Sequence, residues 1–161
     1  MRKILFVLSI CIIISGCCFN SVLPEQKNYY EMLDKLNNTT DKYQEDLPFA
    51  LKIYIDKINE FELMYRVIID SPTYELYNLS ALVIHNYETE DIYPSIGVLD
   101  EKVNLVPNYI DKENNYVKGI NLIGYIPFNE DISAFKGEFR ILVNYDDQFG
   151  VNHELYYQNN K

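Results

Sequence analysis

From residue 47 onward, apolar and polar residues alternate in short runs that are separated by turn-forming residues. The clearest run lies late in the chain, and its members of one parity are Phe135, Gly137, Phe139, Ile141, Val143 and Tyr145. A period of two is typical of a strand with one buried face, and only Leu142 breaks the pattern. The segment 146–150, Asp-Asp-Gln-Phe-Gly, has the composition of a hairpin loop. The chain is therefore predicted to end in a hairpin, whose returning strand has Val151, His153, Leu155 and Tyr157 on its inner face.

Earlier segments predict further strands. Residues 61–69 alternate, and Leu76 to Asn86 is apolar on both parities, which indicates a central strand covered on both faces. Residues 92–98 form another candidate strand. Pro94 lacks a backbone donor and places that strand at a sheet edge. Shorter candidates are 103–106 and 120–126.

The segment 47–58 fits two interpretations. Leu51, Ile53 and Ile55 alternate with polar residues, which predicts a half-buried strand. Leu47, Leu51, Ile55 and Ile58 also recur at helical steps, so a helix competes and the choice stays open.

About seven short strands with turns between them predict an antiparallel β-sandwich over residues 47–161. The late strand 137–145, its Asp-rich turn and the final strand resemble the last hairpin of an immunoglobulin-like domain. They are similar to those of small immunoglobulin-like surface lipoproteins of Gram-positive bacteria. The resemblance covers roughly the last 85 residues and implies a mainly β, immunoglobulin-like fold.

The chain opens on a different pattern. Arg2 and Lys3 precede an apolar run from Ile4 to Ile14, and the small residues Ser15 and Gly16 follow. This order is typical of a secretory signal peptide. The run is shorter than the roughly 20 residues that a bilayer-spanning helix needs, so a permanent transmembrane anchor is the weaker interpretation.

The segment Ile14-Ser15-Gly16-Cys17 resembles the lipobox of bacterial lipoproteins. The resemblance implies that the Cys17 thiol carries a diacylglycerol and that a peptidase cuts after Gly16. Residues 1–16 would then be a signal peptide, and the protein would be held on the cell membrane, outside the cytoplasm, through lipid on Cys17. A secreted protein with an incidental Cys17 is the alternative. Cys18 is a poorer acceptor, because Ser15 would stand where an apolar residue is preferred.

Residues 17–46 are predicted to form a lipid-anchored, partly helical tether. Tyr29, Leu33 and Leu36 recur at helical steps, and Asn37-Asn38-Thr39-Thr40 interrupts them with poor helix formers. The expected structure is a short helix inside a flexible stalk that spaces the sandwich from the bilayer.

Composition excludes several functions. Cys11, Cys17 and Cys18 lie in or beside the leader, so the body has no disulfide framework and no thiol nucleophile. Without Arg2 and Lys3, 12 of the 14 basic residues remain against 24 acidic ones, a net charge of −12. That balance argues against nucleic acid as a partner.

Candidate chemistry is sparse. The serines of the body, Ser71, Ser80, Ser95 and Ser133, lack a Gly-x-Ser-x-Gly context. His85 and His153 are the only histidines, too few for a typical catalytic zinc site, and both are expected to be structural. Two acidic loops could supply oxygen ligands for calcium, although solvated turn residues are the simpler interpretation; the loops contain Glu88, Glu90 and Asp91, and Asp146 and Asp147. No cofactor site is predicted.

Tyrosine is the remaining feature, with 15 residues in the chain. Exposed tyrosine favours interfaces, because it combines contact area with a polar tip. The expected function is a non-enzymatic binding or adaptor module that contacts a protein or a cell-envelope polymer through loops or an edge strand. The alternatives are an accessory subunit of a cell-envelope complex and a carboxylate-dependent hydrolase.

Overall fold

The computed structural model describes residues 24–39, 44, 46–88 and 96–160. The signal peptide, Cys17, Pro94, Ser95, Glu90 and Asp91 lie outside these residues. The elements in chain order are helix α1 (Pro24–Asn38) and strands β1 (Ala50–Asn59), β2 (Glu62–Asp70), β3 (Leu76–His85), β4 (Ile96–Leu105), β5 (Tyr116–Val117), β6 (Gly119–Pro127), β7 (Glu138–Asp146) and β8 (Asn152–Asn160). Short 3₁₀ turns span Lys112–Asn114 and Ile132–Ala134.

The described strands form two sheets. One has the order β1-β2-β6, and the other has the order β5-β4-β3-β7-β8. Neighbouring strands are antiparallel, except that β4 and β5 run parallel over two residue pairs. The orders β1-β2-β6 and β3-β7-β8 match the A-B-E and C-F-G arrangements of immunoglobulin-like sandwiches. The predicted fold class is therefore confirmed.

The main core lies between the two sheets and follows the alternation in the sequence. From β2, Leu63, Tyr65, Val67 and Ile69 point inward and are buried. They belong to one apolar cluster with the inward residues of β7, which are Phe139, Ile141, Val143 and Tyr145. Alternate positions on each strand face away from this core, as a period of two requires.

Residues 50–59 form strand β1, so the helical alternative for segment 47–58 is wrong. β1 pairs with β2 from Ala50↔Asp70 to Asn59↔Glu62, with one irregularity near Asn59. Leu51, Ile53 and Ile55 pack against the main core at the edge of the sheet. Tertiary pairing decides between two local patterns here, because each apolar residue of the alternating set reaches the core only from an extended backbone.

β3 is the central strand that its composition predicts. It lies between β4 and β7, and six consecutive residues, 79–84, are buried. β4, by contrast, runs without interruption from residue 96 to residue 105, so the described part of the predicted strand 92–98 and most of the predicted strand 103–106 form one strand. The exposed Asp100, Glu101 and Lys102 lie between the paired residues Val98 and Val103, where the β3–β4 register shifts. That prediction of two strands was wrong, because a polar bulge lengthens a strand without ending it.

Helix α1 packs on the outer face of the five-stranded sheet. Tyr29, Met32 and Leu36 are buried there, in a second apolar cluster with four sheet residues, Leu82, Ile84, Leu142 and Tyr156. The spacing in the sequence predicts a short helix that residues 37–40 interrupt, but it places this helix in a flexible stalk and does not predict its contact with the sheet. The contact explains why Leu142 breaks the alternation of β7.

Hydrogen bonds and an ion pair fix the end of α1 to the sheet. Arg140 Nη1 donates to the backbone oxygen of Leu36 at 3.2 Å. Lys35 Nζ pairs with the Glu154 carboxylate of β8, and this hydrogen bond raises the pKa of Lys35 above its ordinary value. Residues 24–38 are thus part of the packed structure of the sandwich.

Candidate binding surface

The two outer surfaces of the sandwich differ in what covers them. α1 covers much of the five-stranded sheet, whereas the three-stranded sheet carries no described element on its outer side. The outward side chains of that open sheet include a group of apolar and aromatic residues around one arginine. We name this surface the aromatic face and define it by Tyr54, Met64, Arg66, Ile68, Ile123 and Tyr125.

Strand register brings these residues side by side. Tyr54 of β1 lies opposite Arg66 of β2, which in turn lies opposite Ile123 of β6. The next outward row holds Met64 opposite Tyr125. With about 4.8 Å between strands and about 3.4 Å per residue along a strand, Tyr54 and Tyr125 lie about 12 Å apart diagonally across the sheet. Tyr54 is 45%, Ile123 43% and Tyr125 49% exposed.

Arg66 is the central polar residue of the aromatic face. Its guanidinium lies over the Tyr54 ring, 5.4 Å from the centroid, and its Nη2 donates to Asp56 Oδ2 at 2.9 Å. Its Nε is buried and has no hydrogen-bond partner among the described residues. Two neighbours therefore hold the Arg66 side chain in place while one donor stays unused.

Charged residues surround the apolar centre. Lys52 and Asp70 form an ion pair at 3.5 Å beside Ile68, and Asp56 lies next to Met64. An apolar and aromatic centre that includes Arg and Met, with a polar rim, is the usual anatomy of a protein–protein interface. The arrangement can thus bury apolar area against a partner and anchor it with Tyr and Arg.

A second group of exposed apolar side chains lies at one end of the sandwich. The segments 71–75, 106–115 and 147–151 meet there, because β3 begins beside the ends of β4 and β7. Their exposed members are Tyr74, Tyr109, Ile110, Phe149 and Val151. This end corresponds to the end that carries the B–C and F–G loops in immunoglobulin domains.

Hydrogen bonds and ring contacts order the tyrosines of this end. The hydroxyl groups of Tyr74 and Tyr145 are 3.0 Å apart, and the rings of Tyr109 and Tyr116 are 5.5 Å apart. Tyr77 donates to the Glu75 carboxylate, and this hydrogen bond raises the pKa of Tyr77 to about 12. Hydrogen bonds and ring contacts within the chain therefore fix the positions of several of these tyrosines.

The two histidines lie at opposite ends of the sandwich, and the structure does not bring them together. His85, at the end of β3, contacts the rings of Tyr65 and Phe139. His153 stacks on Tyr145 at 5.0 Å, and its Nε2 lies 3.0 Å from Asp147 Oδ2. Both are half-buried against aromatic rings.

The acidic residues of the last hairpin hold its turn. Asp147 lies beside His153, and Asp147 Oδ1 accepts hydrogen bonds from the backbone nitrogens of Val151 at 3.0 Å and Phe149 at 2.8 Å. These contacts lower the pKa of Asp147, the one with His153 most strongly. Asp146 accepts from Asn152 and Asn78, which lowers its pKa as well.

The remaining candidates are scattered. Ser133 Oγ donates to Asp131 at 2.6 Å, Ser71 is exposed, and Ser80 is buried in β3. Among the described residues, no three His, Cys, Asp or Glu side chains come together as a metal site would require. Within the same residues, no helix combines the length and hydrophobicity that a membrane span needs.

Sequence reasoning pointed to exposed tyrosines as a class but did not single out Tyr54 and Tyr125. It also missed the other four residues of the aromatic face, which are Met64, Arg66, Ile68 and Ile123. Apolar residues on the outward parity of β2 and β6 were the available indication. Comparison of the chain with models of known protein families and with curated proteins finds no match.

Proposed function

We propose that this protein is a lipid-anchored extracytoplasmic lipoprotein whose sandwich acts as a non-enzymatic binding module for another protein. The observation that carries the proposal is the aromatic face. Its exposed Tyr54 and Ile123 lie in one row across the open sheet, and the exposed Tyr125 lies in the next outward row. Side chains of this size contribute strongly to binding when they are desolvated, because each aromatic ring buries a large area.

Arg66 supports a protein as the partner. Arg and Tyr are the residues most often found where a few side chains dominate the binding energy. The Tyr54 ring and Asp56 already order the Arg66 side chain, so binding has less side-chain entropy to remove. The Arg66 side chain is 36% exposed, so its guanidinium can donate to a carbonyl or carboxylate oxygen of the partner.

The leader supports the location. A charged start, an apolar run and Ile14-Ser15-Gly16-Cys17 resemble the signal and lipobox of bacterial lipoproteins. Two or more acyl chains give stable anchoring, whereas one gives marginal binding. The lipid would hold the body at the bilayer against the repulsion between its negative charge and anionic headgroups.

The binding role is tested by exchanging tyrosines and recovering partners from cross-linked cells. We expect the double variant Tyr54→Ser, Tyr125→Ser to lose at least one partner protein that the wild type retains. Tyr109→Ser is the matched control, because Tyr109 is similarly exposed but lies at the loop end. If the control loses the partner and the double variant keeps it, the loop end is the binding surface and the proposal for the aromatic face fails. Recovery of a cell-envelope polymer instead of a protein would also contradict the partner class.

The anchor is tested by labelling cells with radioactive palmitate. We expect label on the wild type and on Cys18→Ala, and none on Cys17→Ala, which should be released from membranes or stay unprocessed. Equal labelling of the two variants would refute Cys17 as the lipid attachment site.

A further inference from the structure

A half-open cavity of about 160 Å³ lies between α1 and strands β3, β4 and β7, on the opposite outer surface from the aromatic face. Its walls are unusually polar for a helix–sheet junction. The polar lining residues are Asn28, Glu31, Lys35, Ser80, Lys102 and Asn144.

Two of these residues interrupt the apolar layer beneath the helix. Ser80 and Asn144 are paired across β3 and β7. They lie on the same side of the sheet as Leu82 and Leu142, which pack under α1. Ser80 is 8% exposed. Asn144 Oδ1 is buried and has no hydrogen-bond donor among the described residues. An unpaired buried acceptor costs stability that an apolar residue would not, so Asn144 is a costly residue to place in this layer unless its polarity serves the cavity.

The charges around the cavity have both signs. Lys35 approaches from the helix and Lys102 from β4, and Glu31 contributes a carboxylate from the helix. Lys35 is paired with Glu154, whereas Lys102 is an exposed residue of the polar bulge in β4. The walls therefore offer an ammonium group to a carboxylate and acceptor oxygens to an N–H donor.

The volume limits the size of the occupant. It is several times the roughly 30 Å³ that one water occupies in the liquid and below the roughly 300 Å³ at which pockets for drug-sized ligands begin. We propose that this cavity binds a small zwitterion of the size of a free amino acid. The ligand's carboxylate pairs with Lys102, and its ammonium group faces Ser80 and Asn144 on the cavity floor and the carboxylate of Glu31, which also pairs with Lys27 at 3.6 Å.

The test uses the full-length chain in detergent micelles and measures its melting temperature with free L-amino acids and glycylglycine, each at millimolar concentration. We expect at least one zwitterion to raise the melting temperature, because a ligand that binds only the folded state stabilises it. The amide of the same amino acid, which lacks the carboxylate, is expected to have no effect.

Two variants separate binding from folding. Asn144→Leu fills the apolar layer, so we expect a higher melting temperature without ligand and an affinity reduced by about tenfold or more. Lys102→Gln is expected to weaken binding at an unchanged ligand-free melting temperature, with Lys118→Gln, another exposed lysine, as the matched control. A cavity that holds only water would show no response to any zwitterion, and that result would overturn the proposal. So would an undiminished response in Asn144→Leu or Lys102→Gln.

Discussion

Replacing Leu36 by Ala tests whether α1 is part of the cooperative fold. Leu36 is completely buried between the helix and the sheet, in the cluster that contains Leu142 and Tyr156. It lies in the last turn of α1, where Arg140 also binds its backbone oxygen. The substitution therefore removes contact area at the centre of the interface and leaves the helix backbone favourable, because Ala is the best helix former.

The magnitude follows from the atoms removed. Leu→Ala deletes three carbon atoms, and at about 0.8 kcal/mol for each buried methylene the transfer loss is about 2.4 kcal/mol. The residual cavity adds to this, so we expect the free energy of unfolding to fall by about 3 kcal/mol, within the range of about 2–5 kcal/mol for buried leucines. Leu33→Ala is the matched control: the same substitution in the same helix, at a partly buried position, should cost about 1 kcal/mol.

The assay is urea unfolding of the chain without its leader, followed both by the circular dichroism of the helix and by tyrosine fluorescence. With a urea slope of about 1.5–2 kcal/mol per molar, the Leu36→Ala midpoint should fall by about 1.5–2 M. Both probes should report the same transition if α1 unfolds together with the sandwich. A midpoint lowered no further than that of Leu33→Ala would refute the packing described here. Loss of the helical signal before an unchanged sandwich transition would show that α1 docks as a separate unit.

Three further outcomes follow from the described contacts. Gly124→Ala places a Cβ 2.4 Å from the Tyr65 ring and should cost about 2–3 kcal/mol by urea unfolding. At Gly150 a Cβ would meet open space, and only the positive φ of 76° disfavours alanine, so Gly150→Ala should cost about 1 kcal/mol. Equal losses of unfolding free energy in the two variants would contradict the close contact between Gly124 and Tyr65. The lowered pKa values of Asp146 and Asp147 mean that their stabilisation is complete above the ordinary aspartate pKa of about 3.9 and disappears as pH falls through the lowered values. Thermal unfolding from neutral to acid pH should therefore show a shallower acid loss in the Asp146→Asn, Asp147→Asn double variant than in the wild type, and an unchanged acid loss would refute this role.

Strands β2 and β7 were predictable because the apolar residues that become buried recur at every second position along their sequences. β2 and β7 bury every second residue, except that β7 also buries Leu142, and the hairpin 146–150 follows from its composition. The local pattern agrees with the folded structure, because only one pairing register of such a strand places its alternating apolar residues on the buried face. The identity of segment 47–58 could not be decided in the same way, because its two apolar patterns share Leu51 and Ile55.

The packing of α1 on the sheet was not predictable from the sequence of the helix alone or from the sequences of β3 and β7 alone. The apolar face of the helix, with Met32 and Leu36, needs a surface to cover it. The apolar residues Leu82 and Leu142, which break the alternation of β3 and β7, provide that surface. The two strands become neighbours only through the sheet order β3-β7, which is a property of the whole fold.

The aromatic face was likewise not predictable from local sequence patterns, and in this case the difference bears on function. An apolar residue on the outward parity of a strand has two explanations, which are cover by another element of the same chain or contact with a partner. Leu142 and Ile123 present the same pattern in sequence, yet α1 buries Leu142 and leaves Ile123 exposed on the other sheet. Only the three-dimensional arrangement separates these two cases. The positions that remain exposed after the chain has packed its own helix are those at which a binding partner would explain the apolar residue.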